Sequence, residues 1–179
     1  MFQKILVAID RSGISTQVFD EALALAQVNS ASLVLLHVLS LEEEGSPDIY
    51  LIPSVECYPA LRANNWEFYQ KQWQVFENQG LDLLRSLTNA ATAAGVTTEF
   101  AQVSGSPGRT ICNFARTWSA DIIVMGRRGR SGFSELILGS VSNYVLHHAP
   151  CSVLIVQHPV KSSSQSTTEQ LNGVGCELR

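Results

Sequence analysis

Two glycine-containing stretches and one aspartate hold most of the chemistry this chain can offer. Met125-Gly126-Arg127-Arg128-Gly129-Arg130-Ser131-Gly132 packs three glycines and three arginines together, and Gly139-Ser140-Val141-Ser142 follows soon after. Glycine permits positive φ and close backbone approach. A helix opening at Ser140 would present free N–H groups and the positive end of its dipole to an anion. Those are the parts of a phosphate cradle, with Ser140 and Ser142 as hydroxyl donors and at least one of Arg127, Arg128 and Arg130 facing the phosphate. The loop is not a Walker A motif, since no Gly-Lys pair occurs anywhere in the chain. Nor is it the Rossmann fingerprint, because its glycines are spaced by two and two and follow the fourth predicted strand instead of the first.

Asp10 stands at the end of an apolar run, followed by Arg11-Ser12. It either caps the next helix or contacts a ligand, and the two roles are compatible. His37, near another strand end, reads as a satisfied, partly buried histidine rather than a base. His147-His148 suit a helix C-terminus electrostatically. Cys112 and Cys151 read as packing residues, while Cys57 and Cys176 are the candidates for redox reactivity.

The elements that must position these residues alternate. Residues 5–9 form a continuous apolar run, the pattern of a strand covered on both faces, and 31–39, 96–103, 122–125 and 151–156 are read as the further strands. Between them lie helical patterns: one carrying Val18, Ala22, Leu25 and Ala26, with Ser12 or Ser15 as its cap, then 111–118 behind Pro107-Gly108, and 141–147. The longest helix places Trp66, Tyr69, Trp73, Phe76, Gly80, Leu83, Leu87, Ala90 and Ala94 on one seam, facing the sheet or, in its aromatic half, lining a ligand pocket. Strand and helix in alternation predict a doubly wound, three-layer α/β/α fold on a five-stranded, mostly parallel sheet. Residues 40–65, with Glu42-Glu43-Glu44 and Pro47, Pro53 and Pro59, interrupt the rhythm and predict an inserted loop or lid. The domain is expected over 1–158, and the Ser/Thr-rich remainder, 159–179, as a disordered tail.

Composition excludes other classes. The 179 residues are 45% hydrophobic and 16% charged, with net charge −4, so no global basic field exists to hold nucleic acid or an anionic membrane. No run approaches the ~18 apolar residues of a membrane span, and the apolar stretch at the N-terminus is too short for a signal peptide. The four cysteines lack C-x2-C spacing. A single cytoplasmic domain is expected.

The composite of Ile9-Asp10-Arg11-Ser12, His37-Val38, Gly126-x2-Gly129-x9-Gly139-Ser140 and Ala149-Pro150-Cys151 resembles the universal stress protein family, in its ATP-binding subclass, over roughly residues 1 to 157. The resemblance implies ATP lying across these loops. Ala8 and Asp10 would border the adenine or ribose, Val38 would flank adenine, and Met125 and Gly126 would border ribose. Arg128, Gly129, Arg130, Gly139, Ser140, Val141 and Ser142 would wrap the phosphates. It also implies a homodimer through antiparallel pairing of the last strand, Cys151 to Val156. Mg²⁺ would accompany the triphosphate, held mainly by phosphate and water. Three functions fit: a nucleotide-binding stress or signalling module, a slow ATPase or phosphotransfer enzyme in the same pocket, and a non-binding interaction protein. The enzyme can nominate only Asp10 and Glu135 as carboxylates, and the intact glycine-serine loop opposes the third. The binding module is favoured.

Overall fold

Ile5, Leu6 and Val7 are each fully buried although they follow one another in a strand. Successive side chains point to opposite faces, so both faces must be covered. The computed structural model, which describes residues 1–43, 45–47, 59–127 and 138–157, shows how. Its elements run β1 (Lys4–Ile9), α1 (Ser15–Asn29), β2 (Ser32–Leu39), α2 (Pro59–Ala93), β3 (Thr98–Ser104), α3 (Pro107–Trp118), β4 (Ile122–Gly126), α4 (Ser140–His148) and β5 (Ser152–Val156). The strands form one sheet in the order β3-β2-β1-β4-β5, and every pair is parallel.

Ile5, Val7, Leu33, Leu35 and Val124 pack under Val18, Phe19 and Ala22 of α1 and Leu84 and Ala91 of α2. Leu6, Val34, Leu36, Ile123 and Met125 pack under Ile111, Cys112 and Ala115 of α3 and Val145 of α4. This is the three-layer α/β/α arrangement expected from the alternation. The chain winds outward from β1 to β3, then returns to place β4 and β5 on the other side of β1. The β1–β4 junction is therefore the point where winding reverses, and the crevice beyond it opens at the strands' carboxyl ends.

Several local expectations shift. The long helix begins at Pro59, so residues 59–65, expected in the loop, are helical. Proline misleads there because it tolerates the first turn of a helix, where its missing N–H is no loss. The buried seam of α2 is Phe76, Gly80, Leu84 and Ala91, whereas Ala90 and Ala94 are exposed. Trp66, Tyr69, Trp73 and Phe76 stack on one another along the helix, with centroid distances of 5.8, 6.5 and 5.6 Å. Trp66 is 52% exposed, so this aromatic row covers itself and lines no part of the crevice. Neither Ser12 nor Ser15 caps α1: its N-cap is Ile14, without a side-chain bond. The helices α1 and α3 end on left-handed Ser30 and Ser119, whose successors Ala31 and Ala120 donate to Ala26 O and Ala115 O, the closure more often built on glycine. The tail from 158 onward and residues 44 and 48–58 of the insert, Cys57 among them, lie outside the described residues.

Candidate functional site

A cavity of about 330 Å³ occupies the crevice at the β1–β4 junction, a size suited to a small ligand. Its floor is the carboxyl ends of three strands, through Ala8, Leu36, Val38, Met125 and Gly126, and its walls are Asp10, the Ser40 to Glu43 turn, the start of α3 and the start of α4. Of the expected site residues, Ala8, Asp10, Val38, Met125, Gly126, Gly139, Ser140, Val141 and Ser142 all line it. Arg128, Gly129, Arg130, Gly132 and Glu135 lie outside the described residues.

Asp10 is tied into the loop after β1. Its Oδ1 accepts from Ser12 N at 3.0 Å and from the Ser12 hydroxyl. Ser15 Oγ lies 2.7 Å from that same Oδ1 and 2.6 Å from the Asp10 carbonyl, sharing its one proton between them. The carboxylate closes its own loop and walls the cavity, instead of capping α1.

At the opposite wall, α4 starts at Ser140 behind Gly139, with no side-chain cap. Its first N–H groups have no intrahelical partners and meet the cavity through Gly139 to Ser142. Ser142 is buried, and its hydroxyl donates to Gly126 O at 3.1 Å, bracing α4 against the end of β4. That proton is therefore committed to the backbone rather than held ready for a phosphate. Gly126 has ordinary φ; a Cβ there would lie 2.8 Å from Ile14 Cγ2 and 3.2 Å from Val18 Cγ2. Close approach of α1 requires this glycine, and the positive φ that the sequence suggests does not occur.

Electrostatically the described lining is one-sided, since its charged members, Asp10, Glu42 and Glu43, are all carboxylates. Among the described residues no three His, Cys, Asp or Glu side chains converge on a metal position, so the donor set does not form a Mg²⁺ cage. Arg127, which borders the loop, donates from Nη1 to Gln157 Oε1 at 3.1 Å and from N to Val156 O.

His37, expected to be satisfied and partly buried, is buried outright at 1% exposure; its Nε2 pairs with Glu43, while its Nδ1 has no hydrogen-bond partner. His148 Nδ1 contacts Tyr144 O at 2.8 Å while its ring stacks on Tyr144 at 4.0 Å. Cys112 and Cys151 are free thiols, both pushed above the ordinary thiol range by burial, as packing residues should be.

Sequence reasoning missed Ile14, Val18, Ser40, Glu42, Glu43, Pro107, Ile111 and Leu138 as lining. The Pro107-Gly108 helix start and the rule that strand-end loops surround the crevice could have pointed to Pro107. The Glu42-Glu43 wall had no such signal, because the insert disguised it as solvated loop.

The model of the universal stress protein family matches residues 1–157. The chain belongs to that family. This universal stress protein is 37% identical over 157 residues to universal stress protein Sll1388 of Synechocystis, covering 88% of this chain and 99% of the relative. Its fold resembles that of universal stress protein UspA from Lactobacillus plantarum, with a TM-score of 0.63 and 25% identity over 87% of this chain and 97% of the other. It likewise resembles an Arabidopsis thaliana family protein solved with AMP bound, with a TM-score of 0.56 and 22% identity over 92% and 97% of the two chains.

Proposed function

We propose that this universal stress protein binds an adenine nucleotide, ATP, as a homodimeric module of stress response or signalling in the cytoplasm. The observation that carries the reading is one cavity joining two unlike surfaces. An apolar slot of Ala8, Val38 and Met125 suits a flat base, and the uncapped start of α4 at Gly139 to Ser142 suits phosphate. The AMP held by the Arabidopsis relative supports the class of ligand. Arg128, Gly129 and Arg130, outside the described residues, are the residues that the family resemblance assigns to the phosphates. Mg²⁺, where it accompanies ATP, rests on phosphate and water, and hydrolysis is slow or partner-dependent.

Dimerisation is proposed through β5. This strand lies at one edge of the sheet, with Leu154 37% exposed, and an apolar edge calls for cover. A charge at Val153 should give monomers in sedimentation; an unchanged dimer refutes the edge-strand model.

The direct test is to heat freshly purified protein, identify released nucleotide by mass spectrometry, and titrate the emptied protein calorimetrically with ATP, ADP and AMP. Absence of both copurified nucleotide and binding heat would reject the reading. Tighter binding of AMP than of ATP would keep the adenine slot and reject the triphosphate cradle.

A further inference from the structure

Glu43 belongs to the turn that begins the insert, yet its side chain is only 4% exposed. His37 Nε2 lies 2.9 Å from its Oε1 and 3.0 Å from its Oε2. A carboxylate can only accept, so Nε2 carries the proton and donates. The same Oε1 accepts from the backbone N of Arg11 at 3.1 Å. One buried carboxylate thus joins the end of β2, the turn after it and the loop after β1. Glu43 and Asp10, the residue before Arg11, are both cavity wall.

The turn itself is built to present this group. Glu42 N donates to Ser40 Oγ at 3.1 Å and Ser46 Oγ to Leu41 O at 2.8 Å. Gly45 takes φ +80°, a conformation that side-chain-bearing residues rarely adopt. The Arg11 guanidinium lies over the Phe76 ring of α2 at 5.0 Å. Behind the pair, α2 leaves no room. A Cβ on Gly80 would sit 2.5 Å from His37 Nδ1 and 2.6 Å from its Cε1, and Nδ1 is buried without a hydrogen-bond partner. Glycine in the interior of a helix is unfavourable relative to alanine, so its presence at position 80 is explained by the imidazole lying against it.

An apolar pair of the same volume could also hold these elements together, since burying polar groups carries a desolvation cost that their hydrogen bond must offset. What an apolar pair would not supply is a directed acceptor for the Arg11 amide. We infer that His37 and Glu43 are positioning residues for the nucleotide pocket: His37 orients the Glu43 carboxylate, which fixes the loop carrying Asp10, and Gly80 of α2 sets the place of His37. This rests on the nucleotide reading of the cavity.

The test uses the full chain with three readouts: ATP affinity by calorimetry, hydrogen exchange of the Arg11 amide by NMR, and thermal midpoint. Glu43→Ala should speed Arg11 amide exchange and weaken ATP at least tenfold, while Glu43→Gln, which keeps an acceptor, should restore most of both. Gly80→Ala, remote from the cavity lining, should weaken ATP about tenfold in the wild-type background and add nothing in a His37→Ala background, where the ring it displaces is gone. Affinities within twofold of wild type for Glu43→Ala and Gly80→Ala overturn the inference, as does an equal loss from Gly80→Ala in both backgrounds. A fall in thermal midpoint with unchanged affinity and exchange also overturns it, leaving the pair merely structural. Wild type that binds no adenine nucleotide sinks the pocket reading and this inference with it, whereas binding wild type with indifferent variants sinks this inference alone.

Discussion

The two walls of the cavity are built on opposite physical terms. On the α4 side the groups facing the cavity are backbone N–H of an uncapped helix start, braced by Ser142 on Gly126. On the other side stand carboxylates of Asp10 and Glu43, already engaged with the backbone of Ser12 and Arg11. One wall keeps its donors uncommitted toward an anion; the other uses acceptors to hold its own shape. On the proposed nucleotide reading, phosphate would face the donors and base or ribose the acceptors, because reversal would set phosphate against carboxylate.

The sharpest way to break this contrast is to give the donor wall an acid. Ser140→Asp should reduce ATP affinity more than 100-fold, about 2.7 kcal/mol, while thermal stability holds or rises, since a carboxylate in a helix's first turn is favourable. Affinity kept by that variant would remove phosphate from the α4 start. Next comes Gly126→Val, whose branched side chain meets Ile14 and Val18. Overpacking of this kind costs about 1–3 kcal/mol, read as a lower urea midpoint with unchanged slope. An unaltered midpoint would mean that α1 can retreat and that the close approach is not required. Ser142→Ala, which removes the brace to Gly126 O, should cost about 1 kcal/mol and a few-fold in affinity. A larger affinity loss with no stability change would show that the hydroxyl meets the ligand directly.

The smallest effect lies far from both walls. Asp121 accepts from Gln3 N at 2.8 Å and Lys4 N at 2.9 Å, and those two backbone bonds hold its carboxyl below the usual range. A depressed pKa contributes stability that is present above the ordinary carboxylate value and lost as pH falls through the lower folded one. Asp121→Ala should therefore lower stability slightly at neutral pH and flatten the acid limb of the stability curve. A variant that still loses stability on acidification as wild type does would place that limb elsewhere.

Legibility in the sequence followed the range of the interactions. The runs of β1, β2 and β4 were plain because burial on both faces demands unbroken apolar side chains, whereas β3 and β5, at the sheet edges, are only partly buried. Nine of the expected site residues line the cavity for a related reason: they sit in or just beyond the carboxyl ends of strands or at a helix start, where open α/β sheets place their crevice. The α2 seam was partly misread, since alanines at 90 and 94 match helical spacing as well as Ala91 does, and only packing against the sheet chooses among them. Pro59 read as a breaker, although its place in the first helical turn makes it compatible.

What the sequence determined by itself was the sheet, its winding and the loops that surround the crevice, because apolar periodicity and glycine-serine punctuation are local signals. Tertiary structure decided which groups are committed and which remain open. Gly126 is required by Ile14, Gly80 by His37, and Glu43, written in a run of three glutamates that suggests solvent, is buried as the partner of a histidine on β2. Each depends on a side chain distant in the chain or on another element, and only folding brings the two into contact.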